Sequence, residues 1–539
     1  MSQHPVADER APGGLLRSNL IVAAGTALSR ITGFVRVYAL AAVLGQTALA
    51  DAYESANNSP NAVYELLLGG VLSASLVPLF TRHREDDDAE ATSAILTTML
   101  IVLVGLTALA ILLAPLIFHL QTLDVSPAVN AAEFRRVGAA LARIFLVQIF
   151  FYGLSALWGA VLASHRRFFA AAWSPVLANI VTIVSLFILQ AQLNPGDPFV
   201  QALSDATLRR NLGLGATLGI ALMALSMYPA VRRTGVRMSW RPQFDHPAVR
   251  QMFRLSGWTL GYAAANVVTA IIVKNLASPG SGRQAAYNRA FTIFQLPHGL
   301  LAMSITTTFV PELARRVKRR DREGFIERTE LGIRTIGLLT IPAAALMFTL
   351  RRPIAGALFQ HGKITAADAL EISRALGGFA VGLAGFSIYL FVLRGFYAHT
   401  DARTPFMINL VECALNIGLA AILVRRSGLL GLGLAFGLAY VISALWALQI
   451  LTYKVPGFLA RRVLASLGRM ALASLVAGEL AWITSRLSDA DAGIGATIRV
   501  TVGGVVGLAA FVGTLHLLGP DLNDFRRLVR HQPAEVSTE

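Results

Sequence analysis

The amino-acid sequence predicts an all-α polytopic membrane protein with about fourteen transmembrane helices. Apolar residues make up 55% of the chain and charged residues only 14%, whereas soluble domains carry roughly 25% charged residues. Apolar stretches of about 20 residues, each long enough to cross a bilayer, recur from Leu15 to Leu518. Because a backbone in lipid must satisfy its own hydrogen bonds and the alternation typical of barrel strands is absent, these stretches are predicted to be helices.

The predicted helices form two sets of six and a final pair. The first set lies near 15–44, 47–82, 91–119, 134–164, 171–192 and 211–232. The second set lies near 247–277, 283–316, 324–349, 368–399, 403–425 and 429–453, and the final pair near 462–486 and 494–518. This grouping predicts five segments: a cytoplasmic N-terminal segment 1–14, an N-terminal lobe 15–232, a C-terminal lobe 247–453, a helix pair 462–518 and a cytoplasmic tail 519–539.

Three features of the first lobe recur in the same order in the second lobe. The first is a Val-Pro pair before a basic helix end, Val77-Pro78 in the first lobe and Val310-Pro311 in the second. The second is a Pro-x-x-x-Asn turn, Pro175 to Asn179 and Pro405 to Asn409. The third is a helix that begins Gly-Leu-Gly, at Gly213 and at Gly431. Because each lobe has an even number of spans, the lobes are predicted to be parallel repeats about an axis along the membrane normal, a transporter plan with the site between them.

The net charge of +16 does not indicate a nucleic-acid partner, because the basic residues cluster at helix ends. Counting alternate loops assigns roughly 27 Lys and Arg residues to one side of the membrane and about 12 to the other, the asymmetry typical of cytoplasmic loops. Both termini are therefore predicted to face the cytoplasm. The basic helix ends are also expected to contact anionic lipid headgroups at the cytoplasmic face.

Most ionisable residues at membrane depth fall in the first two helices. Arg30 and Arg36 lie on the first, about 9 Å apart along its axis. On the second, five polar residues fall within an arc of roughly 80°; they are Asp51, Glu54, Asn58, Asn61 and Glu65. Charges at membrane depth need a wet cavity or a partner. Two interpretations stay open, namely ion pairs between the arginines and these acids, or the lining of a polar cavity.

The second lobe contributes Arg289 as a further candidate for the cavity. Arg394 and Glu412 are expected to form a structural ion pair between neighbouring helices. The sequence has no metal-ligand spacing such as HExxH and no Walker-type phosphate loop. We therefore expect no enzyme, no bound metal and no cofactor.

Four short motifs occur in a fixed order along the chain: Ser29-Arg30-Ile31-Thr32-Gly33-Phe34-Val35-Arg36, Asp51-Ala52-Tyr53, Pro60-Asn61, and Phe294-Gln295-Leu296-Pro297-His298-Gly299. With these motifs the sequence resembles the MurJ/MviN family, the lipid II flippases of the multidrug/oligosaccharidyl-lipid/polysaccharide (MOP) exporter superfamily. The resemblance covers essentially the whole chain and is most specific in its first eighty residues. By position, Arg30, Arg36 and Asp51 match residues that the family uses in its central cavity, and Asn61 matches its Pro-Asn asparagine.

The chain departs from the family pattern at several charged positions. Tyr64 and Glu65 stand where many members have two arginines, and Gly69 stands where an acid often follows. Phe291, Thr292 and Gln295 stand where many members have Asp-Arg and a glutamate. The charge layout of the cavity therefore differs, which leaves the role of Arg289 open. The Tyr64-Glu65 form resembles the actinobacterial branch of the family.

The resemblance implies a flippase that moves lipid II from the inner to the outer leaflet of the bacterial cytoplasmic membrane by alternating access. Lipid II consists of a diphosphate, a sugar-peptide head and a polyprenyl tail. The resemblance further implies a role in peptidoglycan biosynthesis beside the cell-wall synthesis machinery, with coupling to an ion or to the membrane potential. Three alternatives remain: a multidrug or cation exporter of the same superfamily, a flippase for another polyprenyl-linked glycan, and a non-transporting scaffold.

Overall fold

A computed structural model of the protein describes residues 12–64, 73–85, 88–236, 240 and 257–519. All regular secondary structure in these residues is helical. The helices that precede residue 240 are α1 (Pro12–Leu44), α2 (Ala48–Tyr64), α3 (Ser73–Glu85), α4 (Ala89–Leu112), α5 (Ala114–Leu120), α6 (Ala131–Phe145), α7 (Gln148–Ser164), α8 (Phe169–Gln190), α9 (Pro198–Ser204) and α10 (Ala206–Arg232).

The helices that follow residue 256 complete the described fold. They are α11 (Gly257–Asn275), α12 (Arg283–Pro297), a π-helical turn (His298–Ala302), α13 (Met303–Lys318), α14 (Arg322–Thr349), α15 (Arg351–Phe359), α16 (Ala366–Ala398), α17 (Arg403–Lys454), α18 (Ala460–Ser485) and α19 (Gly493–Leu518). The short helices α9 and α15 lie in segments for which the sequence predicts loops.

Eleven of the described helical segments are long and apolar enough to cross a membrane. The chain is therefore a multi-pass α-helical membrane protein, but the predicted count of about fourteen spans is not confirmed. The difference of three has three causes. The second predicted span lies partly outside the described residues, the described part of the seventh is short (Leu260–Asn275), and the eleventh and twelfth are joined in α17.

The long helix α17 contains one break. Gly428 has φ 55° and ψ −132°, while the residues on either side are helical. A positive φ favours glycine because it has no Cβ. The sequence predicts a turn between helices 403–425 and 429–453, and the structure makes that turn with this single residue.

The chain divides into two compact units. The first consists of Met1–Val43, Ala52–Leu120 and Asn130–Ala263. The second consists of Leu44–Asp51, Gln121–Val129 and Ala264–Glu539. Two stretches that the sequence places in the N-terminal lobe, 44–51 and 121–129, thus belong structurally to the second unit.

Close helix contacts in both units depend on glycine. In the first unit, a Cβ on Gly219 of α10 would lie 2.7 Å from the carbonyl oxygen of Ala178 on α8. In the second, a Cβ on Gly382 of α16 would lie 2.3 Å from the Cα of Gly437 on α17. Small residues let helix backbones approach in membranes, where van der Waals packing drives association.

An ion pair in the second unit joins the last residue of α17, Lys454, to Asp401, two residues before that helix begins. Lys454 Nζ lies 2.5 Å from Asp401 Oδ2, and Thr404 donates its amide and its hydroxyl to the same carboxylate. Burial alone would raise the pKa of Asp401, but the hydrogen bonds from Lys454 and Thr404 outweigh it and lower the pKa to about 2.

This ion pair is expected to make the stability of the folded protein depend on pH under acidic conditions. Because the folded pKa of Asp401 lies below its unfolded value of about 3.9, the stabilisation is present above pH ~4 and is lost as pH falls towards ~2. Thermal unfolding of the purified protein should show a Tm that falls across this window, and by less in the Asp401→Asn variant. An equal pH dependence in both proteins would contradict the assignment.

Candidate functional site

Asp51, a candidate substrate-binding residue in the sequence analysis, is fully buried in the second unit. It lies in the first turn of α2, with 0% of its surface exposed. Its Oδ2 accepts hydrogen bonds from the amides of Gly280 (2.9 Å) and Gly282 (2.8 Å), and its Oδ1 accepts one from the amide of Ala285 (2.8 Å). The carboxylate thus satisfies amides at the start of α12, whose own N-cap, Gly282, has no side chain to do so.

Arg289 of α12 is held in the same place. It is 1% exposed, and its Nη2 donates a 2.6 Å hydrogen bond to the carbonyl oxygen of Gly45. Gly282 permits this close packing, because it has φ 79° and a Cβ there would lie 2.3 Å from the carbonyl oxygen of Gln46. We call Asp51, Arg289 and the two backbone stretches 45–46 and 280–285 the junction.

The loop 121–129 is also attached to this region of the second unit. Asn275 Oδ1 accepts a 2.5 Å hydrogen bond from the amide of Leu123, and the amide of Ser126 donates to the carbonyl oxygen of Pro279 at 2.8 Å. Sequence reasoning missed these contacts. The run of serine, proline and glycine at 278–282 was the available signal, since such residues favour tight turns with exposed backbone groups.

The two arginines of α1 have different surroundings from Arg289. Arg30 is exposed and Arg36 is partly buried. Within the described part of the chain, neither guanidinium has a carboxylate within ion-pair distance. The ion pairs with the acids of α2 that the sequence left open are therefore not present among these residues. Glu65, one of those acids, lies outside the described residues.

Two side chains of α8 fix the position of α1 in the first unit. Trp173 Nε1 donates to the carbonyl oxygen of Ile21 at 3.1 Å. Asn179 Nδ2 donates to the carbonyl oxygen of Ser29 (3.1 Å) and to Thr32 Oγ1 (3.0 Å). Arg30 lies between Ser29 and Thr32 in sequence. Its depth is therefore set by Asn179, at the middle of α8.

The second unit contains a matching contact. Asn409, the asparagine of the repeated Pro-x-x-x-Asn turn, accepts a 2.9 Å hydrogen bond from Asn266 of α11. Asn179 thus bonds to α1, the first helix of the N-terminal lobe, and Asn409 bonds to α11, the first helix of the C-terminal lobe. Interhelical bonds of this kind contribute about 0.6 kcal/mol on average in membrane proteins.

The polar stripe of α2 does not remain one open face. Glu54 is buried (8% exposed), whereas Asn58 and Asn61 are partly buried. On the neighbouring face, Asn57 Oδ1 accepts a 3.3 Å hydrogen bond from Gln148. With Asp51 in the junction, the stripe is divided among different surroundings.

The expected ion pair between Arg394 and Glu412 is wrong for the described residues. Glu412 is 1% exposed and accepts a 3.5 Å hydrogen bond from Asn416 Nδ2. Arg394 is exposed, and no ion pair joins the two within the described ranges. The pair does not form because the Glu412 side chain is enclosed by packed helices, whereas the Arg394 side chain is exposed.

Comparison with known proteins places this geometry in a family. A family model described as lipid II flippase MurJ matches residues 40–500. The chain is 26% identical to the probable lipid II flippase MurJ of Vibrio cholerae, over 95% of this chain and 98% of that protein. It is 27% identical to the probable lipid II flippase MurJ of Rhizobium tropici, over 97% of this chain and 98% of that protein.

Solved structures share the fold. A lipid II flippase MurJ in an inward closed conformation matches with a TM-score of 0.76 and 21% identity, over 95% of this chain and all of that chain (100%). An inward-facing multidrug resistance transporter of the MATE family, in the MOP superfamily, matches with a TM-score of 0.66 and 14% identity, over 79% of this chain and 95% of that chain. Since the family model covers most of the sequence, the chain belongs to the lipid II flippase MurJ family.

Proposed function

We propose that this protein is a lipid II flippase of the bacterial cytoplasmic membrane, which moves lipid II from the inner to the outer leaflet by alternating access. Family membership supports the reaction class. The single observation that carries the substrate assignment is the pair Arg30 and Arg36, because neither has a carboxylate partner among the described residues. Cations at membrane depth without a partner need an anionic ligand or water.

The chemistry of arginine suits the diphosphate of lipid II. The guanidinium group is planar, always charged, and able to form two parallel hydrogen bonds with phosphate oxygens. Arg30 and Arg36 are about 9 Å apart along α1, so they can hold the head at successive depths as it crosses. Asn58 and Asn61, which are partly buried, are proposed to line the same polar path with uncharged groups, and Glu54 and Glu65 stay candidates for it.

Asp51 and Arg289 have a different role in this proposal. The contacts of the junction support a structural part for both residues in the conformation described. A substrate contact at either side chain would require those hydrogen bonds to break first. We therefore propose Arg30 and Arg36 as the primary ligands of the diphosphate.

The arrangement of charge supports an orientation with both termini in the cytoplasm. The turn between α13 and α14 presents five exposed cations: Arg315, Lys318, Arg319, Arg320 and Arg322. We propose that this turn faces the cytoplasm and contacts anionic lipid headgroups. We further propose that the protein transports its substrate without catalysing a reaction, and that it acts beside the cell-wall synthesis machinery.

The test is complementation of a bacterium depleted of its own lipid II flippase. Expression of this protein should restore growth and the accessibility of lipid II at the outer leaflet. A multidrug exporter, the alternative class that shares this fold, should instead raise drug resistance without restoring lipid II accessibility. Raised drug resistance, with lipid II still inaccessible at the outer leaflet, would overturn the proposal.

A further inference from the structure

One arginine that the sequence analysis passed over, Arg143, lies at membrane depth in the first unit. It is an exposed residue near the end of α6. The carbonyl oxygen of the next residue, Ile144, accepts a 3.2 Å hydrogen bond from Thr217 Oγ1, near the middle of α10. Thr217 lies between Leu214 and Leu218, which are 38% and 53% exposed. An exposed leucine stripe indicates lipid at this level, so Arg143 lies at the depth of the hydrocarbon.

The face of α6 and α7 that carries Arg143 differs from the lipid-facing surfaces of the same unit. Exposed large apolar side chains line α8 and α10: Leu177, Ile180, Val184, Phe187, Leu214, Leu218, Leu222 and Leu225. In the described chain from 124 to 167, by contrast, no large apolar side chain is exposed. A helix face of this depth that exposes an arginine but has no exposed large apolar side chain is suited to water rather than to lipid tails.

The packing of α6 accounts for the direction of Arg143. Phe134, Leu141 and Phe145 are fully buried against neighbouring helices. At 100° per residue, Arg143 points to the opposite side of α6 from these three side chains. Within the described residues no acid forms an ion pair with it. Exposing a guanidinium to lipid at this depth costs several kcal/mol, so the side chain needs water or an anionic ligand.

The contacts of α8 link Arg143 to the level of Arg36. Helices α1 and α8 run in the same direction, because Trp173 bonds to Ile21 and Asn179 bonds to Ser29. Arg36 therefore lies near the level of Ser185, six residues beyond Asn179, and Ser185 contacts Gly215 of α10, two residues before Thr217. Arg36 and Arg143 therefore lie near the same level of the first unit, on two different helices, about 9 Å from the level of Arg30 along α1.

We propose that Arg143 lines the aqueous path and binds an oxyanion of the transported lipid at the level of Arg36. This inference rests on the proposed function and deepens it, because it assigns a third cationic ligand on a helix other than α1. The oxyanion is either the diphosphate or a carboxylate of the peptide head. Both are recognised by the same charge-assisted hydrogen bonds from arginine.

The first test measures accessibility and is independent of the substrate. The only cysteine of the chain, Cys413, is replaced by alanine, and Arg143→Cys, Arg30→Cys and Leu218→Cys are made in that background. A charged, membrane-impermeant thiol reagent should modify the first two variants. It should leave Leu218→Cys, at the same depth on the lipid side, unmodified. Absence of labelling of Arg143→Cys beside a labelled Arg30→Cys would overturn the inference and leave the proposed function standing.

The second test measures binding. Lipid II should protect Arg143→Cys from the reagent. Protection by a prenyl diphosphate without sugar or peptide assigns the diphosphate as the ligand, and protection by complete lipid II alone assigns the head. The reference is Asn58→Cys, at a residue proposed to line the path, in which all three arginines are kept. Lack of protection at Arg143→Cys, with protection at Asn58→Cys, would overturn the ligand assignment, and lack of protection at both positions would count against the proposed function itself.

The third test measures transport. Arg143→Ala is expected to lower lipid II translocation about tenfold or more, since a hydrogen bond to a charged group contributes that factor. Arg143→Lys should retain part of the activity. Arg136→Ala is the matched control, because Arg136 is exposed on the same face of α6 about 10 Å further along and should be neutral. Wild-type translocation by Arg143→Ala, with equal amounts in the membrane, would contradict the proposal.

Discussion

Replacing Arg30 or Arg36 by alanine is expected to abolish complementation of a flippase-depleted strain. Each change removes a guanidinium that has no carboxylate partner among the described residues, so no buried acid is left uncompensated and folding should survive. The loss should therefore appear in transport and not in the amount of protein. Growth, outer-leaflet accessibility of lipid II, and the membrane level of each variant by immunoblot are the measurements.

Two comparisons make this result specific to arginine chemistry. Lysine at either position keeps the charge but loses the forked donors, so partial function is expected. Arg374→Ala is the matched control, because Arg374 is 51% exposed and pairs with Glu371 on the surface, where an ion pair contributes at most about 1 kcal/mol. Normal growth with both Arg30→Ala and Arg36→Ala would remove the basis of the substrate assignment.

Asp51→Ala is expected to destabilise the protein even without substrate. The change leaves the amides of Gly280, Gly282 and Ala285 buried without the carboxylate that they now donate to. Each unsatisfied buried donor costs about 1–3 kcal/mol, so the total is on the order of 3 kcal/mol or more. The Tm of the purified, unloaded protein should fall markedly, and less for Asp51→Asn, which retains one acceptor oxygen.

The control for Asp51 is another aspartate that caps a helix. Asp205 accepts from the amides of Thr207 and Leu208 at the exposed start of α10, and Asp205→Ala should cost only about 1 kcal/mol. If Asp51 served only as a substrate ligand, its replacement would leave the Tm of the unloaded protein unchanged. That outcome would contradict the structural role of the junction.

Helix positions were largely predictable from the sequence because the membrane imposes a simple rule. A segment such as Phe169–Gln190 must be apolar and helical to cross lipid, and its polar ends mark its boundaries. The repeat asparagines Asn179 and Asn409 were also visible as a pattern. Their hydrogen bonds to the first helix of each lobe were not predictable, since spacing alone does not identify a partner.

The site was only partly predictable. Arg30 and Arg36 stood out because charges at membrane depth are rare. Asp51 looked similar by periodicity, yet it is fully buried in the junction. The sequence does not mark Arg143, because it follows Arg135 and Arg136 in the same long span and a basic helix end looks like a charge at hydrocarbon depth. The hydrogen bond between Thr217 and Ile144 shows that Arg143 lies at the level of the exposed leucines of α10.

The sequence by itself determined that this chain is helical, multi-pass and cationic in its first span, because hydropathy and charge act locally on each segment. Only the tertiary structure decided which charges are enclosed and which are open. Asp51 and Arg289 are enclosed since backbone groups more than two hundred residues away in sequence meet them, whereas Arg30 and Arg143 remain exposed. Burial depends on what folds against a side chain, and no local pattern records that.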